Sequence, residues 1–265
     1  MELTSTQNPR IKSLLLLTEK AAERQLSGLF VVEGPRELER ALKHGFVADQ
    51  LFHCEDIFPL QEWEARGFSA ISGALYYRVN RHVFSRIAYR DGTGGVVAVM
   101  RQKGHSLDTL KLSGNPLLLV LESVEKPGNL GALLRTADAA GLDGIIVCDP
   151  RTDIYNPNVV RSSTGALFSV PLAIATTGEV IAWLDQRGVK NYCTSLAASV
   201  PYHEADMKGP LAIVMGAEAE GLSETWIRAA DENILIPMRG TADSLNVSVS
   251  AAIVVFEALR QREGV

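Results

Sequence analysis

The side chains best suited to chemistry lie near the end of the chain, in the polar segment from Met238 to Asn246. An apolar run at 233–237 precedes this segment, and a helical pattern of apolar residues follows it. Ser244 and Asn246 therefore fall at the start of a predicted helix, where unpaired backbone N–H groups attract side-chain or ligand oxygens. The segment is therefore interpreted as a loop that binds a ligand. The alternative is that Ser244 is only the N-cap of the helix and Asn246 only a residue of its first turn. The helix is a predicted core element, and its apolar positions are Val249, Ala252, Ile253, Phe256 and Leu259.

A second group of candidate residues follows the apolar run from Leu117 to Leu121. Gly128 and Gly131 allow a close backbone approach to a ligand, and Asn129 between them can cap a helix. Arg135 adds a planar guanidinium that suits phosphate. A strand, a glycine turn and a helix suggest a nucleotide or phosphate site, although the turn has neither the GxGxxG nor the P-loop pattern. The alternative is an ordinary turn with a surface arginine.

A third group follows the apolar run that ends at Met215. Gly216 and Gly221 flank the carboxylate of Glu218 directly after a predicted strand. Two glycines in such a turn can shape a tight ligand pocket, in which the turn orients the carboxylate. Glu220 is better explained as a solvated loop charge.

The elements that must position these groups alternate between strand and helix. Runs such as LLLVL, IIVC and LAIVM are typical of parallel strands buried on both faces, so the sequence predicts an α/β fold with a parallel sheet. In open parallel sheets, ligands bind beyond the carboxyl ends of the strands. The predicted strands are 117–121, 144–148, 169–173, 191–195, 211–215 and 233–237, and the helices between them 130–140, 158–167, 179–187 and 224–230. The four polar post-strand segments are 122–129, 196–200, 216–222 and 238–246.

The N-terminal part has its own alternation and predicts a smaller α/β domain at 1–105. Residues 106–115, rich in small and polar side chains, form the predicted linker, and 116–265 the larger domain. The predicted strands of the smaller domain are 29–33, 47–53, 68–71 and 96–100, and its helices 9–17, 20–27, 36–44, 60–66 and 81–88.

The charge of the chain is unevenly distributed. Residues 1–112 carry 15 Lys and Arg against 13 Asp and Glu, whereas 113–265 carry 11 against 18. The stretch from Arg66 to Lys103 has seven basic residues and one acidic residue, Asp91, interleaved with aromatic rings. Cations for phosphates and rings for unpaired bases are typical of a surface for single-stranded RNA. A solvated basic face with aromatic core residues is the alternative.

Composition limits the remaining function classes. The chain has 265 residues and 46% hydrophobic content, enough for one or two domains. No apolar run approaches the ~20 residues of a membrane span, and the first ten residues are too polar for a signal peptide, so a cytoplasmic protein is expected. Cys148 and Cys193 lie in apolar runs and predict buried free thiols, and the histidines lack metal-ligand spacing, so no metal is expected.

Three segments together resemble a known family. PGNLGALLRTADAAG, IVMGAEAEGLS and LIPMRGTADSLNVSVSAAI are similar, in order, to the three signature motifs of the SpoU (TrmH) family of RNA ribose 2'-O-methyltransferases in the SPOUT superfamily. The segments TSTQNPRIKSLLLLTEK and GLFVVEGPRELERAL resemble the substrate-binding domain, with a ribosomal-protein-like fold, of the ribosomal-RNA branch. The similarity therefore spans nearly the whole chain.

This resemblance implies a trefoil-knotted α/β domain, S-adenosylmethionine as cofactor, an RNA substrate and a homodimer with the active site near the subunit interface. Ala217 departs from the commoner Gly-Asn-Glu of the second motif, and Glu218 is retained. The implied catalytic residues are Asn129, Arg135, Glu218, Ser244 and Asn246. The implied cofactor-binding residues are Leu196, Gly216, Ile236, Met238 and Leu245.

Several alternatives remain open at this stage. Arg135 could activate the ribose hydroxyl, but a guanidinium with a pKa above ~12 is a poor base, so a phosphate clamp that also stabilises the developing oxyanion is preferred. The RNA could be ribosomal or transfer RNA. A non-catalytic RNA-binding homologue is the main competing function, and the missing GxGxxG disfavours a Rossmann-type dehydrogenase or small-molecule methyltransferase.

Overall fold

The computed structural model describes residues 1–89, 94–195, 199–218 and 220–264. The chain forms two compact units. The first unit comprises Met1–Lys103 together with Asp153–Ser169, and the second comprises Gly104–Thr152 and Val170–Val265. The functional division into a domain at 1–105, a linker at 106–115 and a domain at 116–265 stays a prediction.

The described residues form strands and helices that are numbered in chain order. The strands are β1 (Glu2–Leu3), β2 (Leu29–Glu33), β3 (Ala48–His53), β4 (Leu75–Val79), β5 (Val96–Arg101), β6 (Leu117–Glu122), β7 (Gly144–Cys148), β8 (Leu172–Ala175), β9 (Lys190–Thr194), β10 (Val200–Pro201), β11 (Leu211–Met215) and β12 (Glu232–Leu235). The helices are α1 (Pro9–Glu19), α2 (Ala21–Ser27), α3 (Pro35–Lys43), α4 (Leu60–Ala65), α5 (Arg81–Ile87), α6 (Pro127–Ala140), α7 (Pro157–Ser162), α8 (Ala166–Ser169), α9 (Thr177–Gln186), α10 (Glu224–Ala229) and α11 (Val247–Glu263).

The first unit is built on a mixed sheet with the strand order β1-β4-β3-β5-β2. Strand β5 pairs antiparallel with both β2 and β3, and the other pairs are parallel. The predicted strand at 68–71 is wrong, because Phe68–Ala70 forms a 3-10 turn and the strand lies further on, at β4. Gly67 enters that turn with φ 72°, and Phe68 is buried against the Trp63 ring, with centroids 5.1 Å apart. The apolar character of residues 68–71 therefore reflects the packing of a turn against the core, and not a strand.

The second unit is built on a parallel sheet with the strand order β10-β12-β9-β11-β6-β7-β8. Strands β6, β7 and β11 are buried along their whole length, as expected for a sheet covered on both faces. The predicted strand at 169–173 is shifted, since α8 continues to Ser169 and the strand begins only at Leu172. The predicted α/β class with a parallel sheet is confirmed, whereas the trefoil knot stays a prediction.

The strand order brings the predicted ligand segments together. Strands β12, β9, β11 and β6 are consecutive neighbours in the sheet and run in the same direction. Their carboxyl ends therefore share one edge, and each of the four polar post-strand segments follows one of these strands. The chain passes from β6 to β7 on one side of the sheet and from β11 to β12 on the other, which makes the edge between β6 and β11 a topological switch point.

The C-terminal helix α11 buries a different face from the one predicted. Its buried residues are Val247, Ala251, Val254, Val255 and Ala258. The predicted face is half-buried or exposed, with Val249 at 48% and Phe256 at 50% exposure. The prediction was wrong because α11 is apolar on two faces, and a period of 3.6 residues does not say which face meets the sheet.

The buried thiols are confirmed, since Cys148 in β7 and Cys193 in β9 are both buried and free. Among the described residues, no helix is long and apolar enough to span a membrane. The same residues contain no group of three or more His, Cys, Asp or Glu arranged to hold a metal ion. The cytoplasmic location stays a prediction.

Candidate active site

Asn129 lies at the centre of the site and links the three polar segments. Helix α6 begins at Pro127, earlier than predicted, so Asn129 is the third helical residue and the predicted cap at Asn129 is wrong. Its side-chain amide donates to Glu218 Oε1, and its Oδ1 accepts from Asn246 Nδ2 at 3.2 Å. The early start of the helix frees the Asn129 side chain from capping and makes it available for these tertiary contacts.

Glu218 follows β11 in a tight turn. Gly216 is buried, and a Cβ at this position would lie 2.2 Å from Gly221 C and 2.4 Å from Gly221 O, so only glycine fits without moving the backbone. Glu218 Oε1 accepts from Asn129, whereas Oε2 is buried and has no hydrogen-bond partner among the described residues. An unpaired buried carboxylate oxygen costs about 1–3 kcal/mol or more. The turn therefore presents an acceptor for a ligand N–H or O–H group.

Asn246 is the N-cap of α11, so the alternative with Ser244 as N-cap is wrong. Its Oδ1 accepts from Ser248 N at 3.0 Å and from Ser248 Oγ at 2.6 Å. Because Oδ1 faces the helix, Nδ2 must point away from it and donate to Asn129. Ser244, two residues earlier, is exposed and makes no hydrogen bond with the described part of the chain.

Arg135 is separate from this cluster. It lies on α6 six residues beyond Asn129, about 240° further around the helix axis at ~100° per residue. Its side chain is exposed and forms no ion pair or hydrogen bond within the described ranges. The structure thus brings Asn129, Glu218 and Asn246 together and leaves Arg135 and Ser244 free to contact other molecules.

The predicted cofactor positions surround the same edge of the sheet. Gly216 directly follows β11, and Ile236 directly follows β12. Ile236 and Met238 are half-buried, and Leu245 is 40% exposed. Leu196 lies outside the described residues. Gly216, Ile236 and Met238 thus follow two strands of the carboxyl edge, where a ligand would meet backbone groups and apolar side chains.

Sequence reasoning missed Glu122, the last residue of β6, which is only 7% exposed. Its Oε2 accepts from Ser223 N at 2.7 Å, and its Oε1 accepts from Thr177 Oγ1 at 3.2 Å. The carboxylate therefore ties the end of β6 to the starts of α10 and α9. The sequence did contain a signal for this residue, because Glu122 is the one charged residue at the end of an otherwise apolar strand.

Arg151 was also missed. It donates to Glu125 Oε1 at 2.5 Å and to Glu220 Oε2 at 2.8 Å, so it joins the turn after β6 to the turn after β11. Glu220, which was predicted to be a solvated charge, takes part in this exposed bridge. Arg151 follows β7, the neighbour of β6 in the sheet. It would have been found if the search for polar segments after strands had included the segment after β7.

The two buried thiols near the edge are not nucleophiles. Burial, together with the nearby charges of Glu122 and Asp231, raises the pKa of Cys193 to about 12. Burial also raises the pKa of Cys148, with contributions from Asp149 and Glu122. Both thiols stay protonated near neutral pH, so the chemistry of the site belongs to its amides, carboxylates and arginine.

Two known families match separate parts of the chain. The SpoU rRNA Methylase family matches residues 116–256, and the MRM3-like substrate binding domain matches residues 8–98.

Several proteins are similar over the whole length. The 23S rRNA (guanosine(2553)-2'-O)-methyltransferase RlmP of Bacillus subtilis is 31% identical, covering 96% of this chain and 98% of the relative. An AdoMet-bound rRNA methyltransferase from Sinorhizobium meliloti has a similar crystal structure, with a TM-score of 0.90, 35% identity and coverage of 98% of this chain and 97% of that one. The crystal structure of an RNA 2'-O ribose methyltransferase gives a TM-score of 0.84 at 40% identity, covering 99% of this chain and 100% of the other.

Proposed function

The chain belongs to the SpoU rRNA methylase family, and from this premise we propose that it transfers a methyl group from S-adenosylmethionine to a ribose 2'-oxygen of ribosomal RNA. The observation that carries the proposal is the hydrogen-bonded chain Glu218–Asn129–Asn246. These three residues come from three separate motifs and meet only at the carboxyl edge of the sheet. The relatives named for rRNA methylation favour ribosomal over transfer RNA.

The residues at the edge fit the cofactor. The glycine turn at Gly216 brings main-chain atoms close to the site, and Glu218 Oε2 is a buried acceptor without a described partner. We assign cofactor binding to Gly216, Ile236, Met238 and Leu245, with Leu196 as a further position of the same pocket. When bound, S-adenosylmethionine supplies a methyl group on a positively charged sulfur, which is already a good leaving group.

The remaining task of the protein is to place the ribose hydroxyl, whose proton passes to solvent as the 2'-oxygen bonds to the methyl carbon and the carbon–sulfur bond breaks. Asn129, Glu218 and Asn246 form a directed set of donors and acceptors that can hold a nucleotide in line with the methyl group and exclude water. Arg135 is exposed and has no described partner, so it is available to a molecule outside the subunit. We assign it to the RNA, where it clamps a phosphate and stabilises the oxyanion that develops on the 2'-oxygen. Ser244, exposed beside Asn246, is the further nucleotide contact.

The N-terminal segment 1–105 is assigned to RNA binding, with 106–115 as the linker to the methyltransferase domain 116–265. Support comes from the basic side chains between Arg66 and Lys103 and from the match to a substrate-binding domain at 8–98. Of the rings in this stretch, Phe68, Tyr77 and Phe84 are buried in the core, as the alternative had it, whereas Tyr89 is exposed. Phosphate contacts of this kind make binding depend on salt concentration.

We assign a homodimer on the exposed apolar face of α11. Val249 and Phe256 are about half exposed, although they lie seven positions apart on one side of the helix. Leu245, at 40% exposure, continues this apolar face into the predicted cofactor loop. A contact between two copies at this face would cover apolar surface and lie next to the site.

The experiment that tests the function is methyl transfer with the full-length protein. Tritiated S-adenosylmethionine is incubated with unmodified ribosomal RNA, and the product is mapped for 2'-O-methylribose. Arg135→Ala should lower transfer by about 10²-fold or more while calorimetry shows cofactor affinity within about twofold of wild type. Arg228→Ala, at an exposed arginine of α10, is the matched control and should leave both values unchanged.

Two results would contradict these assignments. A wild-type protein that binds RNA and cofactor but transfers no methyl group would favour the non-catalytic RNA-binding homologue. An Arg135→Ala variant that loses cofactor affinity along with activity would remove Arg135 from the RNA side of the reaction.

A further inference from the structure

A cavity of about 320 Å³ lies within the first unit, apart from the residues assigned to methyl transfer. Glu33, Arg36, Arg66, Tyr89, Val160 and Arg161 are among the residues that line it. Arg161 comes from α7, which lies in the sequence range of the methylase family but belongs to the first unit. The wall therefore combines two carboxylates, Glu33 and Glu37, with three arginines and an aromatic ring.

Three of these side chains are arranged around one another. The Arg161 guanidinium lies 4.2 Å from the centre of the Tyr89 ring. The Tyr89 backbone N–H donates to Glu33 Oε2 at 3.1 Å. Burial raises the pKa of Glu33, while the Tyr89 amide and the charge of Arg161 oppose this rise. Glu33 Oε1 has no hydrogen-bond partner among the described residues, so a half-buried carboxylate acceptor lines the cavity.

The other two arginines differ in how they are held. Arg66 is fixed by an ion pair with Glu39 at 2.9 Å, and it lies over the Phe58 ring. Arg36 is exposed on the first turn of α3 and has no ion-pair partner in the described part of the chain. Arg36 and Arg161 therefore offer guanidinium donors on the cavity wall, and the Tyr89 ring is 49% exposed.

We propose that this cavity binds one unpaired nucleotide of the RNA substrate whose base carries an exocyclic amino group. The phosphate binds Arg36 and Arg161, the base stacks on Tyr89, and the amino group donates to the Glu33 carboxylate. Cytosine, adenine and guanine offer such an amino group. Uracil does not, because a carbonyl oxygen takes its place and would face the carboxylate.

The volume and chemistry favour this occupant over others. About 320 Å³ is at the lower end of small-molecule sites and accommodates a single nucleotide. A free phosphate would not use the aromatic ring or the carboxylate, and an acidic peptide would be repelled by Glu33. The inference rests on the proposed RNA substrate, yet binding at this cavity is measurable without methyl transfer.

The test uses the full-length protein without cofactor and two fluorescein-labelled octaribonucleotides, oligo(C) and oligo(U), followed by fluorescence anisotropy at pH 7.5. Cytosine and uracil are both pyrimidines, and only cytosine carries the amino group. Wild type should bind oligo(C) about tenfold more tightly than oligo(U), as expected for one hydrogen bond to a charged group. Glu33→Gln should remove most of this preference because the amide presents a donor as well as an acceptor.

The arginine variants test the phosphate side. Arg36→Ala and Arg161→Ala should weaken both oligonucleotides by about tenfold without changing the preference for cytosine. Arg36 is exposed and has no hydrogen bond or ion pair in the described part of the chain, so Arg36→Ala should leave the fold unchanged. Arg228→Ala is the matched control, since Arg228 is exposed on α10 in the second unit and does not line the cavity.

Equal affinity of wild type for the two oligonucleotides would overturn the inference, as would a preference that survives Glu33→Gln. An Arg228→Ala variant that loses as much affinity as Arg36→Ala would also overturn it, since a general effect of lost positive charge would explain both losses. The proposed methyl transfer fails separately, in the tritium assay. If the protein methylates RNA but shows no cytosine preference, only the nucleotide-binding cavity is contradicted. If it shows the preference but transfers no methyl group, only the proposed methyl transfer is contradicted.

Discussion

Asn129 donates its side-chain amide to Glu218, 89 positions further along the chain. The direction of this hydrogen bond is set by Asn246, whose Oδ1 caps α11 and whose Nδ2 donates to Asn129 Oδ1. With its oxygen engaged by Asn246, Asn129 can only offer its NH2 group to Glu218. The start of α11 thus fixes the orientation of two amides and leaves the second oxygen of Glu218 for a ligand.

The first prediction concerns Asn246→Asp, which preserves the helix cap and removes only the donor. Asp caps helices as well as Asn does, so thermal stability should change by less than about 1 kcal/mol. The new carboxylate oxygen would face Asn129 Oδ1, and flipping Asn129 would only move the conflict to Glu218. We expect kcat/KM for methyl transfer to fall by about 30-fold or more.

Asn8→Asp is the matched control for this substitution. Asn8 is the N-cap of α1, with Oδ1 accepting from Arg10 N at 2.9 Å, and no further contact of its side chain is described. Activity and stability should match wild type. If Asn246→Asp is fully active, the directed chain does not contribute to catalysis.

The second prediction concerns Gly216→Ala. The added methyl carbon would lie 2.2–2.4 Å from backbone atoms of Gly221 and Leu222, so the turn that carries Glu218 must move. We expect the affinity for S-adenosylmethionine to fall by about tenfold or more, measured by calorimetry. Gly178→Ala in α9 adds the same carbon where no atom lies within 4 Å, and it should leave affinity unchanged. Equal affinities for the two variants would exclude a tight turn at the cofactor.

The third prediction concerns Phe256→Glu on α11. Phe256 is 50% exposed on an apolar face, and a charge there would oppose the burial of that face between two copies. Light scattering after size exclusion should give the mass of a dimer for wild type and of a monomer for the variant. Leu26→Glu, at a side chain with 86% exposure in the first unit, should remain dimeric. A monomeric wild type would contradict the assigned homodimer directly.

The arrangement of the site could be predicted because parallel strands bring their carboxyl ends to one edge, so Asn129, Glu218 and Asn246 were expected at the same place. The hydrogen bonds among them could not be predicted, since they depend on where α6 starts and on which residue caps α11. Predicting the buried face of α11 failed for a related reason, since both faces are apolar. The packing of 153–169 with the first unit was also beyond the sequence, because nothing in its pattern distinguishes it from the neighbouring elements of the second unit.

The fourth prediction concerns Glu122→Gln. The carboxylate accepts from Ser223 N and Thr177 Oγ1, and the amide of Gln would place an N–H group against one of these donors. Because the group is buried, we expect a loss of about 2 kcal/mol in the free energy of unfolding by urea. Glu224→Gln removes a carboxylate from an exposed pair with Arg228 and should cost about 0–1 kcal/mol. Similar losses for both variants would argue against a bracing role for Glu122.

The last prediction concerns the pH dependence of stability through His53, which is fully buried in the first unit. Burial lowers the pKa of His53 from its ordinary value of about 6.5. The ring nitrogens contact Tyr76 Oη at 2.7 Å and Phe58 O at 2.6 Å, and the ring stacks on Trp63 with centroids 4.5 Å apart. The unfolded chain therefore takes up a proton before the folded one does, so the contribution of His53 to stability is complete above about pH 6.5 and is lost as the pH falls below it.

We expect the urea midpoint, followed by circular dichroism, to decrease from pH 7.5 to pH 5.5, with His53 contributing up to about 1.4 kcal/mol per pH unit below its unfolded pKa. His53→Gln should be less stable at pH 7.5 but lose less stability over this range, because it no longer titrates. The same substitution at His82, which is exposed on α5, should retain the wild-type slope. If the urea midpoint of His53→Gln falls with pH as steeply as that of wild type, groups other than His53 cause the acid sensitivity. Such groups would also have to bind a proton more readily in the unfolded chain than in the folded one.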